Sequence, residues 1–249
     1  MTDFVFSPRI NYPFVLTDGN EGKVLISGIS IPEDPNSFFM PLKAWIDDFL
    51  THQSDSLVVN FEMFFYNRTT SNYFYKLLHS LKKFSDEGKN IVINWYHYPE
   101  DDDVKEDGED LEFQLKFPIH IIEYQPLSTF NKAKTENTPL VYFDQIGDIV
   151  LDGNALGKKP WEYFYPLIKW ADSIRFAEGK MNINFEISIE AIDEMNLQYL
   201  KHILNQLKII DKKDDKSVMV KWKCVSEETR CTLLALLDGC GFNHSVLHQ

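Results

Sequence analysis

The chain has 249 residues, 44% of them apolar and including 19 Phe, 11 Tyr and 5 Trp, enough for one large packed core or two ordinary ones. Its net charge of −13 excludes nucleic acid as an expected partner, because phosphates would be repelled, and no apolar run approaches the roughly eighteen residues that span a bilayer. The three cysteines, Cys224, Cys231 and Cys240, lack C-x-x-C spacing and a His at ligand distance, so no metal or cofactor is expected. Their odd number and the absence of a secretory signal predict reduced thiols in the cytoplasm.

Taken in chain order, 23–29 reads as an apolar strand stopped by glycine. Residues 37–52 carry Phe38, Phe39, Leu42, Trp45, Ile46, Phe49 and Leu50 at helical spacing, with Pro41 near the first turn. The β-branched and aromatic run 57–66 predicts a buried strand, 71–86 a helix closed by Gly88, and 90–96 another strand. A short helix over 107–115 and a strand over 118–124 follow. Residues 125–139 read as a polar, turn-rich linker. Beyond it the same order returns: strands 148–152, 181–189, 217–224 and 241–247, with helices 160–176, 195–209 and 226–237 between them.

This second series is a repeat of the first. Val24-Leu25-Ile26-Ser27-Gly28 matches Ile149-Val150-Leu151-Asp152-Gly153. Phe39, Pro41, Leu42 and Trp45 match Phe164, Pro166, Leu167 and Trp170. Asn60-Phe61-Glu62 matches Asn184-Phe185-Glu186, and Trp95 matches Trp222. Four matches in order predict a tandem duplication, residues 1–124 and 140–249, each copy an α/β domain with helices packed on a mixed sheet. The copies differ in charge: 1–125 holds 21 acids against 10 bases (net −11), whereas 126–249 holds 17 against 15 (net −2).

Several segments of the first copy occur together in one family. They are Gly28-x-Ser30-x-Pro32-Glu33, Phe39-x-Pro41-Leu42-x-x-Trp45, Phe65-Tyr66-Asn67-Arg68-Thr69-Thr70-Ser71, Asn94-Trp95-Tyr96, and the acidic stretch from Glu100-Asp101-Asp102-Asp103 to Asp107-Gly108-Glu109-Asp110. On these segments residues 4–124 resemble the SiaC family of regulatory phosphoproteins. The resemblance implies a STAS-like architecture and a non-enzymatic bacterial switch. It implies a serine/threonine kinase with a histidine-kinase-type ATP fold, a PP2C-like phosphatase, and an effector, such as a diguanylate cyclase, bound by the unmodified form.

The family places Asn directly before the hydroxyl acceptor. Aligned without a gap on Asn67, the acceptor position falls on Arg68, followed by Thr69 and Thr70; a shift of one residue brings Thr69 there. Thr69 is therefore the first candidate for phosphorylation and Thr70 the next, with Arg68 as a phosphate partner. A turn entering a helix favours an anion, since its N–H groups are unpaired and the dipole is positive there. The plainer reading is a hydroxyl that caps the helix, and the two are compatible. In the second copy the turn reads Glu190-Ala191-Ile192-Asp193-Glu194, without a hydroxyl; Asp193 is an ordinary cap, or the acidic pair imitates a phosphate.

The eight carboxylates in 100–110 lack the glycine and glutamate positions of a calcium loop. They read as a solvated loop or, at Glu100, Asp101, Asp102 and Asp103, as a contact for a basic partner. The expected function is thus a phosphorylation-controlled interaction switch. A constitutive scaffold is the alternative, and an α/β protein binding a metal or small molecule through its acidic loop is a third reading.

Overall fold

A computed structural model describes residues 5–6, 11–99, 101–125, 128–156, 160–176, 178–223 and 244–247. The chain divides into two compact units, 1–125 and 126–249.

Unit 1 runs β1 (Val5–Phe6), β2 (Phe14–Asp18), β3 (Lys23–Ser30), α1 (Asn36–His52), β4 (Ser56–Tyr66), α2 (Arg68–Asp86), β5 (Asn90–His97), α3 (Asp102–Leu115) and β6 (His120–Glu123). Its six strands lie in sequence order. The first two pairings are antiparallel and the other three parallel. Each parallel pair is joined by one helix, and right-handed crossovers between successive neighbours put all three helices on one face. There α2 packs between α1 and α3. The core is the predicted apolar stripe of α1, with Phe74, Leu77, Leu78 and Leu81 of α2 laid over Val59, Phe61, Ile93 and Trp95 of the sheet.

Unit 2 runs β7 (Phe130–Lys132), β8 (Leu140–Phe143), β9 (Asp148–Ala155), α4 (Trp161–Phe176), β10 (Met181–Ile192), α5 (Glu194–Asp211), β11 (Lys216–Lys223) and β12 (His244–Leu247). Its sheet has the same sequential order and the same two antiparallel and three parallel pairings. The predicted helix 226–237 and the three cysteines lie outside the described residues.

The units share irregular features as well as regular ones. Gly28 and Gly153 both have positive φ, +96° and +111°, a backbone that side chains disfavour. Just beyond them β4 and β10 each carry an extra residue against their neighbour, a bulge at the same place in both sheets. Phe39 stacks on Tyr73 (4.7 Å) as Phe164 stacks on Tyr199 (5.5 Å). Pro41 and Pro166 are each the sixth residue of their helix, and α1 starts at Asn36, one residue before the expected start.

Four sequence expectations change. The pairing Asn60-Phe61-Glu62 with Asn184-Phe185-Glu186 is displaced by two residues: Phe61 pairs with Trp95 and Ile187 with Trp222, so Phe61 corresponds to Ile187 and Asn60 to Glu186. The 125–139 segment is not linker throughout, since 130–132 form an edge strand on β8. The helix expected from 71 starts at Arg68, three residues earlier. Finally, the short helix expected over 107–115 begins at Asp102, so the acidic residues before 107, which read as loop in the sequence, are helix too. Asp101 accepts from the Val104 amide (3.1 Å), Asp102 and Asp103 favour the positive end of the dipole, and Val104, Gly108, Leu111 and Leu115 bury one face.

Candidate functional site: the turn from β4 into α2

One residue, Asn67, joins β4 to α2. Its backbone is extended (φ −90°, ψ 170°) and its side-chain oxygen accepts from the Thr70 amide at 2.9 Å. The cap is therefore the asparagine, not a hydroxyl, and Arg68, Thr69 and Thr70 occupy the first three helical positions.

Those three residues stand in different environments. Arg68 and Thr69 are exposed. Thr70 is wholly buried, and its hydroxyl donates to the Ser30 carbonyl at 2.9 Å. That uses its only proton, so the 2.9 Å contact between the two hydroxyls is one in which Ser30 donates to Thr70. Thr70 thus ties the first turn of α2 to the end of β3. Ser71 is half-buried and lines a groove between α2 and α3 with Asn72, Tyr75, Asp107, Asp110, Leu111 and Gln114. A phosphate on Ser71 would lie beside two carboxylates; one on Thr69 would stand in solvent beside Arg68 and the positive end of the helix.

The remaining acidic candidates are spread along α3. Asp101 is its cap, Asp102 and Asp103 are exposed in its first turn, and Glu100 lies outside the described residues. Sequence reasoning missed Tyr66 and Asp107 as a pair. The Tyr66 hydroxyl donates to Asp107 at 2.5 Å across 41 residues of chain, a separation that no local pattern reports. Burial first, then Asp107, push ionisation of Tyr66 far above the ordinary phenol range, so it remains a donor.

In unit 2 the corresponding turn is Asp193-Glu194-Met195-Asn196, which begins within the expected segment 190–194, three residues after its start. Asp193 is the cap that the sequence suggested and accepts from the Asn196 amide at 2.9 Å. Asn196 takes the place of Thr70, equally buried, and its oxygen accepts from the Tyr163 hydroxyl. Met195 takes the place of Thr69. Among the described residues no group of His, Cys, Asp or Glu is arranged to hold a metal ion, and no helix is long and apolar enough to cross a membrane.

The profile of the SiaC family regulatory phosphoproteins matches residues 7–124 and again 132–235. Among solved structures, apo-SiaC from Pseudomonas aeruginosa is 21% identical, covering 49% of this chain and 98% of its own, with a TM-score of 0.45. A chain from the crystal structure of the diguanylate cyclase SiaD in complex with its activator SiaC, from the same organism, is 20% identical. It covers 48% of this chain and 98% of its own, with a TM-score of 0.46. A search of curated proteins gives no match. With a family match over each of its two units, this chain belongs to the SiaC family of regulatory phosphoproteins.

Proposed function

We propose that the chain is a signalling protein without catalysis of its own, whose unit 1 docks an effector while Thr69 is unmodified and releases it when Thr69 is phosphorylated. The kinase is of the serine/threonine type with a histidine-kinase-type ATP fold, and a PP2C-like phosphatase reverses the step. The observation that supports this reading is the contrast between neighbours: Thr69 is exposed, whereas Thr70 is buried with its hydroxyl committed to Ser30. Phosphorylation adds about −1.5 to −2 charges and three acceptor oxygens. At the second helical position these meet the first-turn amides and Arg68, so the chain's own fold tolerates them, while a partner fitted to a neutral hydroxyl does not. Asp101, Asp102 and Asp103 offer a basic partner an acidic contact at the start of α3, and Glu100 precedes them in sequence. We read the sheet-and-helix layout of each unit as STAS-like. The first effector to test is a diguanylate cyclase, the partner with which SiaC of P. aeruginosa was crystallised.

Incubation with the kinase and ATP should add one phosphate to the 57–76 peptide, lost in Thr69→Ala. Phosphate on Thr70, or none at all, would overturn the assignment. The second result would favour a constitutive scaffold, the reading supported by the helical position after the cap being Arg68 in unit 1 and Glu194 in unit 2.

A further inference from the structure

Tyr66 does more than fill space. It is the last residue of β4, directly before the Asn67 cap, and its ring sits edge-on to Phe74 of α2 (5.2 Å, 70°) and to Trp95 of β5 (6.2 Å, 88°). Trp95 in turn donates its indole N–H to the Val104 carbonyl of α3 at 2.8 Å. The strand end, the start of α2 and the first turns of α3 therefore converge on two aromatic rings. Tyr66 completes the junction by donating its single O–H to Asp107. Asp107 shares its groove wall with Asp110 and faces Ser71, Asn72 and Tyr75 of α2. In unit 2 the residue at the position of Tyr66 is Ile192, half-buried and without a hydroxyl to donate. The hydroxyl is present only in the copy whose turn also carries hydroxyls.

We propose that the Tyr66–Asp107 hydrogen bond is a latch coupling the turn at Thr69 to α3, so that charge added at the turn resets the acidic face of that helix. This rests on the switch at Thr69. The O–H has one proton and serves one acceptor. An anion on Thr69 draws Arg68 and the first-turn amides of α2 towards itself and shifts Tyr66, the residue directly before the cap, away from Asp107. Asp107 then loses its donor while Asp110 stands one turn away, and like charge loosens the N-terminal half of α3. A modification that touches one residue is thereby read out over a whole helix.

Hydrogen exchange of the full chain, followed over 102–115, tests this in wild type, Thr69→Glu, Tyr66→Phe and the double variant. Thr69→Glu should speed exchange in α3 several-fold; Tyr66→Phe should do the same, and the double variant should add nothing further. Asp107→Asn, which weakens the bond from its other end, should reproduce Tyr66→Phe. Equal effects of Thr69→Glu with and without the Tyr66 hydroxyl would overturn the latch, as would an unmoved α3. Effector binding to the same variants separates the two ideas. If Thr69→Glu weakens binding while α3 stays protected, the latch falls and the switch stands; if it changes neither, both fall.

Discussion

Thr69 and Thr70 are adjacent, chemically identical and indistinguishable by local sequence, yet they predict opposite phenotypes. Removing the Thr70 hydroxyl by Thr70→Val takes the acceptor from the buried Ser30 hydroxyl and one of two donors from the Ser30 carbonyl, which keeps the Asn67 amide, and should cost about 1–3 kcal/mol in urea unfolding. Thr69→Val should stay within about 0.5 kcal/mol of wild type, as exposed substitutions do. The distinction was illegible beforehand because Ser30 lies 40 residues upstream. Gly108 is a similar case. A Cβ there would come within 2.6 Å of the Trp95 ring, so Gly108→Ala should destabilise despite gaining about 1 kcal/mol in helix propensity. His202 carries a pH dependence. It is fully buried on α5, and burial pushes its pKa from 6.5 down to about 3. Below pH 6.5 the unfolded chain takes up a proton that the folded chain refuses, so stability falls from pH 6.5 towards 3 and is level in this respect above 6.5. The slope approaches roughly 1.4 kcal/mol per pH unit. In urea titrations at pH 7, 5.5 and 4, His202→Leu should lose less stability on acidification than wild type.

At the scale of elements, what the sequence revealed depended on how local the cause is. The apolar stripes of α1 and α2 announced themselves through period, because one amphipathic face is enough to define a helix. The start of α2 lies three residues before the helix that the apolar period predicts, because the side chain of Asn67, not a hydroxyl, does the capping. Asn67→Ala should therefore cost about 1 kcal/mol, and Asn67→Asp nearly nothing, in thermal or urea unfolding. A loss from Asn67→Ala within experimental error would mean the cap is supplied elsewhere. In α3 the second half reads as helix over 107–115, but the carboxylates before it read as a solvated loop, although Asp101 and the apolar positions Val104, Leu111 and Leu115 fit one capped amphipathic helix. The two-residue slip between β4 and β10 has a different origin. An even shift leaves every side chain on its original face, so the Asn-Phe-Glu match satisfied the strand pattern equally well. Only pairing to β5 and β11 resolves it, and it puts Asn60–Asn94 (2.9 Å) opposite Glu186–Lys221 (3.3 Å), an amide pair replaced by an ion pair.

For the molecule as a whole, two units with one topology carry unequal surfaces. Duplication was legible because glycine, proline and tryptophan mark backbone and core positions that tolerate little change. The antiparallel strands β2 and β8 were not, being short and adjoining segments without strong period. Side-chain chemistry is unequal too: unit 1 has an exposed hydroxyl at Thr69, a Tyr66 donor and most of the net negative charge, while unit 2 offers Met195, Ile192 and near neutrality. If effector docking depends on the unit 1 turn alone, equivalent charges at the two turns must have unequal effects. Thr69→Glu should weaken effector binding by about 5- to 150-fold, the usual range of a coupling between sites. Met195→Glu, in the same helical position of unit 2, should change it by less than about twofold on that scale. Calorimetry at 50 and 300 mM salt, concentrations on either side of physiological screening, should also show the Thr69→Glu penalty shrinking at the higher salt if charge is its cause. Equal losses from the two variants would place both turns against the effector, and the second unit would then be a docking surface in its own right.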